Sequence, residues 1–111
     1  MSIHVKPEGL YDILAGYVGS HGLELNIDRD FVMDLIAGLL KNEDRYGYRS
    51  CPCRLAAGSR DKDNDIICPC IYRAADVKEY GSCYCGLYVS ADWNEGKVSH
   101  QIVPERRIKK G

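Results

Sequence analysis

A mainly α protein with short strands is expected from this chain: a small single domain of packed helices with cysteine loops. Three observations lead there. The chain has 111 residues, which suits one core and makes two independent cores hard to build. Two N-terminal segments repeat apolar residues at helical spacing. Beyond Tyr48 that periodicity gives way to short segments that contain all six cysteines, so the chain divides into a helical part over 1–46, a cysteine part over 47–90 and a C-terminal strand with a basic tail over 91–111.

The first helix is expected over 7–20. Leu10, Ile13, Leu14, Tyr17 and Val18 form one apolar stripe. Pro7 fits the first turn, where its missing N–H costs nothing, and Gly19 or Gly22 can stop the helix. A second helix is expected over 29–44, capped by Asn26 or Asp28, with Phe31, Leu35, Leu39, Val32, Ile36 and Leu40 on a broad apolar face and Gly47 past its end. Both stripes read as core packing. Short helices are expected near 59–67 and 73–80. Gly86 to Ser90 reads as a strand, and Lys97 to Val103 alternates enough to be another, ended by Pro104.

Composition removes several classes of function. Apolar residues are 45% and charged residues 28%, an ordinary globular balance. The net charge of −1 argues against a strongly basic nucleic-acid binder. No stretch reaches the roughly 20 apolar residues that span a bilayer. The N-terminal residues lack a basic region followed by an apolar one, so no export segment is expected, and a cytoplasmic setting is.

Six cysteines stand out: Cys51, Cys53, Cys68, Cys70, Cys83 and Cys85, all within one 35-residue window. A disulfide scaffold would spread its cysteines and belong to a secreted chain. Tight clustering points instead to a metal or redox site. The pattern is Cys51-Pro-Cys53, fourteen residues, Cys68-Pro-Cys70, twelve residues, Cys83-Tyr-Cys85. In an extended chain, side chains at i and i+2 share a side, and Pro52 and Pro69 push the preceding cysteine toward that conformation. Each pair can then present two sulfurs to one object. Soft thiolates select zinc, Cu(I) or iron–sulfur clusters. Zinc or a [4Fe–4S] cluster takes four sulfurs, which leaves two beside the metal as a dithiol/disulfide couple. A multinuclear zinc–thiolate cluster and structural disulfides also use all six. A zinc-binding interaction module and an electron carrier without disulfide chemistry stay open beside a disulfide reductase.

The run CPCR at 51–54, CPC at 68–70 and the third pair at 83–85 followed by an apolar segment resemble the catalytic (beta) chain of ferredoxin–thioredoxin reductase. The resemblance is specific over about residues 46–90. It implies cysteine loops wrapped around a [4Fe–4S] cluster held by Cys51, Cys68, Cys70 and Cys83, with Cys53 and Cys85 as the active-site disulfide. It implies ferredoxin as electron donor and thioredoxin or a thioredoxin-like protein as acceptor. Plant-type members also carry a separate small variable subunit, a partner the resemblance leaves open. Two departures stand out. The family's third pair usually encloses a histidine that moves protons, and this chain has Tyr84; free tyrosine, which titrates near 10, is a poor base and a possible acid at neutral pH. The first spacer is shorter and the second longer than in plant-type members, and the extra residues fall in Ile71 to Ser82.

Within that scheme Cys53 is the attacking thiolate and Cys85 the cluster-facing sulfur that resolves the mixed disulfide. Arg54, directly beside Cys53, is expected to lower its pKa. His4, His21 and His100 are scattered and read as surface residues, Trp93 as a partly exposed packing residue, and most of the eight tyrosines as ring packing. Arg106, Arg107, Lys109 and Lys110 can attract an acidic donor or simply solubilise the tail.

Overall fold

The computed structural model describes residues 6–54 and 56–105. It is mostly helical, with one two-stranded sheet. Helix α1 spans Pro7–Ser20, with Pro7 in its first turn, and buries Leu10, Leu14 and Val18. Ile13 does not join that face and stays 54% exposed. Helix α2 spans Arg29–Tyr46. The Asp28 side chain accepts from the Phe31 N–H at 3.1 Å and caps it. Gly47, at φ +84°, ends it in the left-handed conformation. Val32, Leu35, Ile36 and Leu39 of α2 pack against α1 in the core. Phe31 is left 39% exposed at the edge of that face.

The remaining elements are short. Strand β1 (Glu24–Leu25), which periodicity does not reveal, pairs antiparallel with β2 (Tyr88–Val89), Glu24 opposite Val89 and Leu25 opposite Tyr88. Helix α3 (Arg60–Asp63) runs into a 3-10 turn over Asn64–Ile66. Helix α4 (Arg73–Tyr80) ends at Gly81, φ +81°. Helix α5 (Ala91–Asn94) is capped by Ser90 and docks beside β1 through Asn94, whose side chain bonds the Leu25 carbonyl and the Ile27 N–H, each at 2.9 Å.

Two strand expectations change. Only Tyr88 and Val89 of the 86–90 segment are strand, because Gly86 is spent in a turn. Lys97 to Val103 forms no strand. The segment buries only Val103 and leaves both sides of 97–102 exposed, Ile102 at 94%, so its alternation marks no half-buried strand. No helix among the described residues is long and apolar enough to cross a membrane. The basic residues Arg106, Arg107, Lys109 and Lys110, and His4, lie outside the described residues.

The core runs from α1 and α2 through Val77 of α4 to Cys83, Leu87 and Tyr88, with Cys68 and Cys85 packed on its edge. The cysteines therefore sit at the margin of the hydrophobic core, not on a separate appendage.

Candidate active site

Three turns carry the cysteines. Ser50 and Ile67 form an isolated antiparallel bridge. Around it the Cys51 N–H donates to the Ile66 carbonyl at 2.7 Å and the Cys68 N–H to the Arg49 carbonyl at 2.8 Å. This backbone pairing sets Cys51 and Cys68 side by side. From Cys51 the chain turns at once, and the Arg54 N–H donates to the Cys51 carbonyl at 3.2 Å. The extended conformation expected of Cys51-Pro52-Cys53 is therefore not adopted. Proline at the second position of such a turn uses its fixed φ equally well.

The second pair lies in a bend before α4, with a cis bond between Cys68 and Pro69. The third is again a turn: the Gly86 N–H donates to the Cys83 carbonyl at 2.9 Å, and the Cys83 N–H to the Tyr88 carbonyl at 2.8 Å. Gly86 needs its glycine twice over. It sits at φ +79°, and a Cβ there would stand 3.1 Å from the Phe31 ring.

Six sulfurs converge from these turns, all as free thiols. Cys51, Cys53 and Cys85 are in mutual hydrogen-bonding contact, and Cys83 bonds Cys85. Cys51, Cys68, Cys70, Cys83 and Cys85 line one closed cavity of about 10 Å³ with Pro52, Leu87 and Tyr88. Cys53 stands outside it and is exposed. Cys51, Cys70 and Cys83 are buried and Cys68 half-buried, so these four can hold a soft metal group away from water. No group of three or more His, Cys, Asp or Glu among the described residues is arranged for a single metal ion.

The thiols differ electrostatically. Donation from Cys51 and then Cys85 holds Cys53 well below the ordinary thiol range, and the Arg54 charge adds less. Contacts with Cys51, Cys53 and Cys83 push Cys85 up. Burial pushes Cys68 up to about 12.

Arg54 lowers the Cys53 thiol as expected, as the smaller contribution, but its main contacts are ones the sequence does not reveal. It follows Cys53 in the chain, and its guanidinium contacts two other sulfurs. Nη1 stands 3.4 Å from Cys70 Sγ and 3.8 Å from Cys51 Sγ. Nε donates to Glu105 at 2.6 Å. The head lies 5.1 Å from the centre of the Tyr72 ring and 4.6 Å from that of Tyr84. The turn at Cys51 brings the charge to these two sulfurs, which adjacency in sequence does not reveal.

Sequence reasoning also misses Tyr88. Its hydroxyl lies 3.3 Å from Cys68 Sγ and its N–H donates to Cys83 Sγ at 3.3 Å. Only the chain reversal at Gly86 reveals this, since Tyr88 reads as an ordinary apolar strand residue. Glu105 carries no sequence signal at all.

A groove of about 720 Å³ opens over the outer thiols. Cys53, Tyr84 and Cys85 line it together with Phe31, His100 and Ile102. His100 stacks flat on Trp93, centroids 3.6 Å apart, with Nε2 2.8 Å from the Trp93 carbonyl. His21 stacks on Tyr17 instead, outside this groove.

The family described as ferredoxin thioredoxin reductase catalytic beta chain matches residues 7–110. The ferredoxin-thioredoxin reductase catalytic chain of Cyanidium caldarium is 25% identical over 108 residues, 93% of this chain and 90% of its own. Those of Pyropia yezoensis and Guillardia theta are each 31% identical over 81 residues, 68% of this chain and 64% and 72% of their own. With a match across nearly all of the described residues and three cysteine turns gathered at one point, the chain belongs to the ferredoxin thioredoxin reductase catalytic beta chain family, oxidoreductases that act on disulfides.

Proposed function

We propose that this chain is an iron–sulfur disulfide reductase that takes single electrons from ferredoxin and reduces the disulfide of thioredoxin or a thioredoxin-like protein through the Cys53–Cys85 pair. The observation that carries the reading is the contact between an exposed thiol, Cys53, and a half-buried one, Cys85, in an open groove that the buried Cys83 also lines, with Cys51, Cys68 and Cys70 outside that lining. Cys51, Cys68, Cys70 and Cys83 would hold a [4Fe–4S] cluster. Two observations support the fit: the donor set is wholly sulfur and shielded, and the buried Arg54 Nη2 has no partner among the described residues. When bound, the cluster supplies one-electron steps beside a two-electron couple.

The chain's own residues do the rest. The Cys53 thiolate attacks one sulfur of the target disulfide, forming a mixed disulfide and releasing a target thiolate, which takes a proton. Cys85 then attacks the Cys53 sulfur, closing the Cys53–Cys85 disulfide and releasing the second target thiol. Two electrons from the donor and two protons restore the dithiol. Tyr84, on the same groove, is the proposed proton donor to the leaving sulfur. Iron and labile-sulfide determination on anaerobically purified protein tests the reading. It predicts about four of each per chain, whereas stoichiometric zinc without sulfide would show a zinc module instead.

A further inference from the structure

The Arg54 side chain is 2% exposed, an expensive place for a charge. A plain ion pair would explain only one edge of its guanidinium, the Nε edge that meets Glu105. The opposite edge faces Cys70 and Cys51, and Nη2 stands buried without a partner among the described residues. The rings of Tyr72 and Tyr84 hold the plane of the head in place. The Arg54–Glu105 pair is thus a dipole with its positive end against two sulfurs and its negative end behind. A charge that close to thiolates favours whichever state of the group they hold carries more negative charge, and N–H···S bonds act in the same sense.

We propose that Arg54 sets the reduction potential of the group held at Cys51 and Cys70, its guanidinium raising that potential and Glu105 moderating it from behind. This rests on the reading above, in which Cys51 and Cys70 are ligands. The competing role is a strut that ties the 101–105 segment to the Cys51 turn. A strut predicts that losing either partner destabilises the protein in the same direction and leaves the potential alone. The charge role predicts opposite shifts: Arg54→Met makes the one-electron midpoint more negative, Glu105→Gln makes it more positive, and Arg54→Lys stays nearer the wild type than Arg54→Met.

The test is film voltammetry on the four anaerobically purified holoproteins, with iron and sulfide content and the Fe–S(Cys) stretching frequencies in resonance Raman measured alongside. Arg54→Met should change the reduction equilibrium at least tenfold, about 59 mV for a one-electron couple. Its Fe–S(Cys) stretch should rise as the donor to sulfur is lost, a readout that does not depend on an accessible couple. Full iron content with unchanged stretches, or with both midpoints unmoved or moving the same way, overturns the inference and leaves the proposed function standing. Zinc in place of iron and sulfide in the wild type overturns both.

Discussion

Gly38 of α2 and Pro52 of the first cysteine pair pack so closely that a Cβ on the glycine would stand 2.8 Å from the Cβ of the proline. The first cysteine turn is therefore pressed directly onto the helix backbone, and a helix-weakening residue is the condition for that contact. Gly38→Ala gains about 1 kcal/mol of helix propensity but overpacks a rigid ring, at about 1–3 kcal/mol. The expected outcome is a net loss of stability and a displaced Cys51–Cys53 turn. Gly16→Ala in α1, where nothing lies within 4 Å, is the control. It should gain up to about 1 kcal/mol. Denaturant midpoints of both variants decide the point, and a stabilised Gly38→Ala protein would show that the contact is not tight.

The loop between the first two cysteine pairs depends on one buried carboxylate. Asp63 accepts from the Tyr48 hydroxyl, from the Ala57 N–H at 2.9 Å and from the Gly58 N–H at 3.1 Å. Asp63→Ala orphans all three donors and should cost about 2–4 kcal/mol. Burial and the bond to Asp63 push the Tyr48 hydroxyl up to about 12. The folded state then holds that proton more tightly than the unfolded chain does. The stabilisation is full below pH 10 and is lost as pH rises from 10 to 12. Urea unfolding at pH 9 and pH 11.5 should show the wild type losing more stability across that interval than Tyr48→Phe does. Equal losses would remove Tyr48 from the account.

Replacing cysteines one at a time separates ligands from redox thiols. Ser at Cys51, Cys68, Cys70 or Cys83 should remove most of the iron and lower the melting temperature, because a small fold built on cysteine turns is coupled to its metal. Ser at Cys53 or Cys85 should leave the iron in place. Iron loss from the Cys85→Ser protein with retention in the Cys83→Ser protein would exchange the roles of those two residues, which share the same cavity.

What was legible in the sequence was local. Pro7, Asp28 and Gly47 act locally, Pro7 and Gly47 through their own backbone and Asp28 through its side chain on the Phe31 N–H, so the ends of α1 and α2 follow from residue type, within two residues for α2. The three Cys-x-Cys pairs were legible as one site because soft sulfur in such density has few other uses. What was not legible depends on chain reversals. β2 lies within the expected 86–90 strand, but its partner β1 is two residues long and pairs across the whole cysteine region, so no periodicity marks it. Lys97 to Val103 alternates but forms no strand, and His100, Gln101, Ile102 and Val103 line a groove instead. The effect of Arg54 on its neighbour Cys53 was legible, but its contacts with Cys51 and Cys70 were not, because they depend on the turn at Cys51.

The division of labour between Cys53 and Cys85 gives the sharpest chemical test. Cys53 is exposed, while Cys85 is half-buried and lines both the groove and the closed cavity beneath it. An external reagent therefore meets Cys53 first, whatever the ionisation of either thiol. Alkylating the reduced protein and reading labelled peptides by mass spectrometry should find Cys53 modified well before Cys85. The Cys85→Ser variant should accumulate a mixed disulfide with thioredoxin, since the resolving sulfur is gone, and the Cys53→Ser variant should accumulate none. Preferential labelling of Cys85, or a complex trapped through it, would reverse the two roles. Tyr84→Phe adds the proton to this picture. The ring and its contact with Arg54 survive in that variant and only the hydroxyl is lost, so a slower turnover with a shifted pH profile assigns the proton transfer to Tyr84. An unchanged profile assigns it to water in the groove.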